Sequence, residues 1–528
     1  MNHLANLNVL VLGLGESGLA MARWCARCGA QVQVWDSRDS PPQAAALREA
    51  VPAARLRSGG LTVDDLHGVH LLLKSPGLAP ADARIAPLLA AALASGIAVA
   101  GELDLFARAL AELKADHGYA PKVLAITGTN GKTTTTAMCA LLVARCGRRV
   151  AVAGNIGPTM LDTLAAALGS PPLADANALP EVWVLELSSF QLHAVQGFAP
   201  DAAAMLNISQ DHLDWHGTMA AYTAAKARIF GPHSARVINR DDLRSEAMAA
   251  APVWAKGGRG RPAVDVSAKT VRFGLHTPQH PGDFGLVVEN GMAWLVRARD
   301  GDETVQRHKP GHKTASPGTE EEIHLQRLMP ADALRVRGRH NAANALAALA
   351  LASAIDCPLA PMLHGLREYA GEPHRLEHVA RIGDVDAYDD SKGTNVGATV
   401  AALLGLGADQ APAKLVVILG GDGKGQDFTP LADPLARHAR AVALIGRDAA
   451  AIAAVLAGDA ATAGLPRQQH ASLPAAVAWC FQQALPGDAV LLSPACASLD
   501  MFRNYHHRAE VFVAAVQARA AEYGEVML

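Results

Sequence analysis

The chain has almost no charge of one sign to spare: 47 Lys and Arg stand against 50 Asp and Glu in 528 residues, a formal net charge of −3. With no global positive field to hold a nucleic-acid backbone, nucleic acid is not an expected partner. Long apolar runs are missing as well. The opening MNHLANLNVLVLGLG has no basic segment before its apolar stretch, and glycines break that stretch after a few residues. This start is neither a signal peptide nor a membrane span, so no membrane insertion is expected. Cysteine is scarce: seven residues, scattered, odd in number and without framework spacing. That excludes a disulfide scaffold and fits a reducing compartment, hence a cytoplasmic protein. The one close pair, Cys25 and Cys28, lies in the apolar-periodic LAMARWCARCGA and is read as helix packing rather than as a redox or zinc site. No repeat at solenoid periods is visible.

What is present is alternation. NVLVLG, QVQVWD, HLLLKSP, VLAITG, VWVLELSS, LVVILGG, AVALIG and AVLLSPA are short apolar runs, mostly of Val, Ile and Leu, ended by Gly, Pro, Ser or Asp, with Ala-rich helical stretches between many of them. Such runs are the mark of βα units on parallel sheets buried on both faces, an α/β fold. The length exceeds what one core fills and suggests about three domains. Polar breaks at residues 111–122 (AELKADHGYAPK) and 369–377 (YAGEPHRLE) suggest domains 1–110, 111–371 and 372–528. Residues from about 256 to 330, rich in Gly, Pro, His, Arg and Asp, read as short strands with mobile loops inserted in the middle domain.

Two glycine motifs ask for phosphate. GLGESG, Gly13 to Gly18, follows the strand NVLVL and opens a helix, and Asp36 closes the next strand about 20 residues on, as in a dinucleotide site. Free N–H groups at a helix N-terminus favour a diphosphate, of NAD or of another nucleotide; a ligand-free tight turn is the bland alternative. GTNGKTTTT follows the strand KVLAI and precedes a helix. It departs from the general G-x-x-x-x-G-K-[ST] loop, because Ile126 stands where the first Gly belongs. Gly128, Asn130 and Gly131 allow a tight loop, Lys132 reaches terminal phosphates, and the Thr133 hydroxyl suits Mg²⁺. GGDGKGQD, residues 420–427, lacks a hydroxyl after Lys424 and is not read as a second such loop.

Glu186 ends an otherwise apolar strand, where a carboxylate needs a partner such as a hard cation. NISQDHLDWHG supplies Asp211, His212, Asp214 and His216, either metal ligands or a polar loop capping a helix. Zinc is disfavoured there because no third nitrogen or sulfur ligand is spaced to complete a tetrahedron. Lys226 shares a helical face with Tyr222, Ile229 and Phe230, which by spacing alone is ordinary snorkelling of a long stem.

Read together and in order, GTNGKTTTT, LELSSFQL, NISQDHLDWHG, YTAAKARIF, GRHNAANALAA, EPHRLE, YDDSKGTNVGAT, LGGDGKGQDF and LLSPACASLDMF resemble the Mur ligases over nearly the whole chain. The last three, with GLGESG, resemble most the members that add D-glutamate to UDP-N-acetylmuramoyl-L-alanine. Asn130 stands where alanine-adding members usually carry His, and a DNPR-type motif of diaminopimelate-adding members is absent. The resemblance implies a Rossmann-like N-terminal domain for the UDP-sugar, a P-loop ATPase-like central domain with a parallel sheet, and a Rossmann-like C-terminal domain for the amino acid. It implies a monomer that uses ATP and two Mg²⁺ ions to make an acyl phosphate which an amine then attacks.

Residue by residue, it assigns Gly128, Thr129, Asn130, Gly131, Lys132, Thr133, Thr134, Asn341, Asn344, Arg375 and Asp390 to ATP. Glu16, Ser17, Ser37, Arg38, Ser75 and Asn155 fall to the UDP-sugar, and Lys392, Thr394, Lys424, Ser498 and Tyr505 to D-glutamate. Thr133 and Glu186 match the first metal and His212 the second. Lys226, carbamylated, becomes a carboxylate-like metal ligand; Lys132, His212 and Lys226 are the catalytic set. Tyr505 departs from an expected Phe. A sister or folylpolyglutamate synthase-like ligase with another acceptor, and an NAD-dependent oxidoreductase built on GLGESG, remain as alternatives.

Overall fold

The computed structural model describes residues 4–169, 176–251, 254–255, 264–265, 268–300 and 323–523. Three large sheets organise them. The N-terminal sheet is parallel, in the order Arg55–Arg57, Gln31–Trp35, Asn8–Leu12, Leu71–Lys74, Ala98–Ala100. The central sheet is also parallel: Thr270–Phe273, Ala235–Asn239, Ala202–Met205, Lys122–Thr127, Val182–Glu186, Val150–Gly154. The C-terminal sheet runs Glu377–Ile382, Val385–Asp389, Ala489–Leu492, Leu415–Gly420, Ala439–Ile445, Arg467–Gln469, with the first strand antiparallel at the edge. All eight apolar runs picked out above lie on these strands, and those nearest the sheet centres, such as Val182–Glu186 and Leu415–Gly420, are buried at every position. Helices on both faces remove every side chain from water, which is why these strands do not alternate.

The central helix Arg339–Ala354, RHNAANALAALALASA, is buried at most positions from Ala342 to Ala352. A helix apolar all round needs protein on every side. This one packs between the loop helix Lys132–Arg145, the sheet and the inserted segment, whose Phe284, Leu286, Leu295 and Met329 join the same core. Among its described residues the inserted segment contributes Thr270–Phe273 to the edge of the central sheet and forms a three-stranded antiparallel sheet, Phe284–Glu289, Met292–Asp300 and Ile323–Pro330, with strands up to nine residues long. Of the segment from about 256 to 330 in which mobile loops are expected, residues 256–263, 266–267 and 301–322 lie outside the described residues.

The polar stretch 111–117 is the end of the helix Glu102–His117, stopped by Gly118 in the left-handed region. Its polar residues are a solvent face, while Leu103, Phe106, Ala109 and Leu113 enter a core shared by the N-terminal and central sheets. Phe106 meets Trp183 there edge-on at 5.0 Å. All seven cysteines are free, and burial pushes the Cys25 and Cys28 thiols up to about 12 and about 11, as suits packing groups. Among the described residues no helix is long and apolar enough to cross a membrane.

Candidate functional site

The phosphate loop follows the fourth strand of the central sheet. Gly131 adopts φ 83° as N-cap of the helix Lys132–Arg145, with no side chain capping it, so the first N–H groups of the helix are left for an anion. A Cβ on Gly131 would stand 2.5 Å from Asn344 Oδ1, so glycine also lets the helix Arg339–Ala354 approach the loop. The Asn130 N–H donates to Asn207 Oδ1 at 2.8 Å, and the Thr129 N–H donates to the Asn207 carbonyl. The Thr129 hydroxyl pairs with the Tyr222 hydroxyl at 3.1 Å.

Two lysines converge on one carbonyl. Lys132 Nζ donates to Gly128 O at 2.9 Å and Lys226 Nζ donates to it at 2.7 Å. Lys226 is 1% exposed, and burial followed by the neighbouring Lys132 charge pushes its amine well below the ordinary lysine range. Burial lowers Lys132 too, against the pull of Glu186 and Asp211. Glu186 is 3% exposed and accepts from Asn155 Nδ2 at 2.9 Å, which joins the predicted substrate residue to the predicted metal ligand. His212 sits at φ 54° with its ring 4.6 Å from that of Phe190, and burial lowers it.

The donors fit magnesium in kind: the Thr133 hydroxyl and Glu186 carboxylate are hard oxygens, and Lys226 becomes one only after gaining a carboxylate. His216 Nε2 pairs with Ser189 Oγ at 2.9 Å, and among the described residues His212 and His216 belong to no converging group of three acid, imidazole or thiol donors of the kind zinc takes. Among the described residues the acid and imidazole donors that do converge are His374, Glu377 and Asp389, where His374 Nδ1 already bonds Asp389 at 2.8 Å.

The C-terminal domain reaches the loop directly. Arg375 Nη2 donates to Thr133 Oγ1 at 2.6 Å. A cavity of 340 Å³ is lined by Asn130, Gly131, Thr134, Asn341, Asn344, Arg375, Asp390 and Lys392, bringing predicted ATP residues of two domains onto one space. Asn344 Nδ2 donates to Asn341 Oδ1, whose own Nδ2 donates to the Arg337 carbonyl, so neither amide serves as a helix cap. Asp390 accepts from Ser493 Oγ at 2.7 Å and is pushed up to about 7 by burial. Lys392 Nζ lies 4.8 Å from the Tyr505 ring centre and falls to about 8, first by burial and then by the Arg375 charge. The Thr394 N–H donates to the Lys392 carbonyl. Lys424 is exposed, while Ser498 is 4% exposed; paired N–H···O bonds between Asp422 and Ala497 hold their loops side by side.

In the N-terminal domain Glu16 starts the helix Glu16–Arg27, and Ser75 Oγ donates to the Gly13 carbonyl at 2.9 Å. Arg38 grips Asp36 through two nitrogens at 2.8 Å, and the Leu14 N–H donates to the same carboxylate at 2.7 Å, holding Asp36 down at about 2. The carboxylate that a dinucleotide ribose would need is thus filled by the protein's own donors. Ser37 is half-buried beside it. Ser17 bonds Glu102, whose Oε1 accepts from the Leu161 N–H of the central domain.

Three contributors escape sequence reasoning. Arg508 is fully buried and donates to the Ser391 and Cys496 carbonyls, tying together the two segments that carry Lys392 and Ser498. Its signal was an Arg at a core position of the helix Tyr505–Glu522, in line with Phe512 and Val516. His340 lines the cavity, and Asn395 reaches Asn130 from the C-terminal domain.

Family models place the same three parts in the same order. A "Mur ligase MurD-like, N-terminal domain" matches residues 7–101, a "Mur ligase middle domain" 126–269, and a "Mur ligase, glutamate ligase domain" 374–496. The UDP-N-acetylmuramoylalanine--D-glutamate ligase of Albidiferax ferrireducens is 56% identical over 526 residues, 99% of this chain and 98% of that one. The chain belongs to the Mur ligases. The enzyme of the same name from Burkholderia pseudomallei is 57% identical to this Mur ligase over 524 residues, 98% of each chain. Solved relatives share the fold. The UDP-N-acetylmuramate-alanine ligase of Thermotoga maritima superposes with a TM-score of 0.54 at 19% identity, covering 97% of this Mur ligase and 100% of that chain. The MurF ligase of Thermotoga maritima in complex with ADP gives 0.53 at 16% identity, over 98% and 97%.

Proposed function

We propose that this Mur ligase joins D-glutamate to UDP-N-acetylmuramoyl-L-alanine, converting ATP to ADP and phosphate, in peptidoglycan precursor synthesis. The observation that carries the reading is the meeting of a phosphate loop with a cationic C-terminal pocket, Arg375 donating to Thr133 and Lys392 lining the same cavity. The whole-length identity to enzymes named for D-glutamate supports the choice of acceptor.

The chemistry starts with two anions that repel: the carboxylate of the UDP-sugar must attack the γ-phosphorus of ATP. Lys132 and the helix N-terminus at Gly131 offset the charge that gathers on the transferred phosphoryl. The resulting acyl phosphate is attacked by the amine of D-glutamate; a C–N bond forms, the C–O bond to phosphate breaks, and phosphate leaves. Lys392, Lys424, Thr394 and Ser498 hold the two acceptor carboxylates, with Tyr505 beneath Lys392. Asn341 and Asn344 take the adenine side of ATP and Arg375 and Asp390 contact ATP from the C-terminal domain, while Glu16, Ser17, Ser37, Arg38 and Ser75 take the uridine diphosphate and Asn155 holds the UDP-sugar near the second metal.

Thr133 and Glu186 would hold one Mg²⁺ and His212 would lie at a second, with carbamylated Lys226 a further carboxylate-like metal ligand, and bound magnesium would supply further neutralisation of the phosphates. Carbon dioxide reacts with the neutral amine, and burial shifts Lys226 toward that form, which supports the carbamate. Domain limits of 1–110, 111–371 and 372–528, a monomer and a cytoplasmic location go with this reading. Phosphate release with Mg-ATP and UDP-N-acetylmuramoyl-L-alanine tests it. Release that needs D-glutamate, and does not occur with L-glutamate, L-alanine, L-lysine or meso-diaminopimelate, is expected; release with another of these acceptors moves the protein to a sister activity.

A further inference from the structure

The helix Val396–Gln410 of the C-terminal domain starts against the phosphate loop. Asn395 caps it, its Oδ1 accepting from the Ala398 N–H at 2.9 Å. The same side chain, 4% exposed, faces the central domain. Its Nδ2 donates to Asn130 Oδ1 at 3.0 Å, its Oδ1 accepts from Asn130 Nδ2 at 3.2 Å, and Nδ2 also reaches Asp211 Oδ2 at 3.3 Å. Asn130 is held in turn by Asn207, which accepts from its N–H and donates to its carbonyl at 3.0 Å. The approach depends on Gly397, where a Cβ would lie 2.8 Å from Ser209 Oγ and 3.1 Å from Asn130 Nδ2.

A helix cap needs only an acceptor, and Ser, Thr or Asp would serve. The donor half of the Asn395 amide is superfluous to capping and is spent wholly on the central domain. We propose that Asn395 is a positioning residue: through the Asn130 side chain it sets the acceptor-binding segment Lys392–Thr394, immediately before it, in register with the phosphate loop. The amine held by that segment then meets the acyl phosphate formed at the loop. Two hydrogen bonds in a planar pair fix direction as well as distance, which a lone charge contact would not. The role rests on the ligase reading above.

Asn395→Ser keeps a cap oxygen, but its single hydroxyl on a shorter stem cannot reproduce the two-bond pair with the Asn130 amide; Asn395→Asp keeps the cap and turns a carboxylate toward Asp211. Both should fold with an unchanged melting temperature to within a few degrees. In Asn395→Ser, kcat/KM for D-glutamate should fall about tenfold or more, with a larger fall in Asn395→Asp, while the Kd for ADP moves far less. The double variant Asn130→Ala/Asn395→Ala should lose no more than the worse single variant, because the two side chains act as one unit. Wild-type kcat/KM in Asn395→Ser, or losses that multiply in the double variant, would overturn the proposal. If the wild-type enzyme itself shows no D-glutamate-dependent release, the functional reading fails instead. Small-angle scattering then decides the contact alone: a larger radius of gyration in Asn395→Ser supports it, and an identical one overturns it.

Discussion

Replacing Gly131 with Ala separates folding from phosphate binding, because Gly147 offers a matched control at the other end of the same helix. Gly131 has φ 83° and Gly147 φ 79°, so alanine at either position carries a left-handed penalty of about 1–2 kcal/mol. For a domain of this size that is about 2–8 °C in melting temperature. The surroundings differ. At Gly147 nothing lies within 4 Å of a new Cβ, whereas at Gly131 it would meet Asn344 Oδ1 at 2.5 Å and Cγ at 3.3 Å. Asn344 cannot simply swing away, since its Nδ2 is engaged by Asn341 at 3.1 Å, so the loop itself must retreat. A shift of about 1 Å in groups that align a phosphoryl transfer costs about 100-fold. Gly131→Ala should therefore lose about two orders of magnitude in ATP turnover, with a melting temperature at or below that of Gly147→Ala, which stays near wild-type activity. Differential scanning calorimetry and coupled phosphate release read both quantities. Turnover in Gly131→Ala within about threefold of Gly147→Ala would refute the placement of the phosphate cradle at this helix start.

Lys226→Ala should be inactive in phosphate release and partly restored by a short-chain carboxylate that takes the carbamate's place; full activity would contradict the metal assignment. Burial holds the His340 imidazole down at about 4, so the unfolded chain binds one more proton than the folded one between about pH 6.5 and 4. Its contribution is complete above the unfolded value and lost as pH falls through that window, so His340→Gln should lose less melting temperature than wild type between pH 6.5 and 4.5. Because Lys392 rests over the face of the Tyr505 ring, Tyr505→Phe should keep KM for D-glutamate within about twofold. Tyr505→Ala should raise it about 3- to 30-fold, as loss of a cation–π contact of this kind implies.

What the sequence makes legible follows from which constraints are local. A strand buried on both faces must be apolar throughout, so VWVLE and LVVILG announce themselves. A loop that cradles phosphate needs glycine at a left-handed position and a lysine next to it, so NGK does too. The polar stretch 111–117 is ambiguous in sequence because the outer face of a helix end and a linker share a composition, and the buried Leu113 marks it as helix. The pairs that assemble the site are less legible still. Asn130 meets Asn395 across 265 positions and Thr133 meets Arg375 across 242, and neither residue type carries a periodic signal of its own. Arg508 is the instructive middle case. Its place on the apolar face of its helix marks a buried cation, and a buried cation must find partners. Yet the Ser391 and Cys496 carbonyls that satisfy it belong to two other loops of the fold. Sequence therefore specifies the demand for a partner at such positions, while the packing of the C-terminal domain decides which backbone answers it, and with it the geometry of the acceptor pocket.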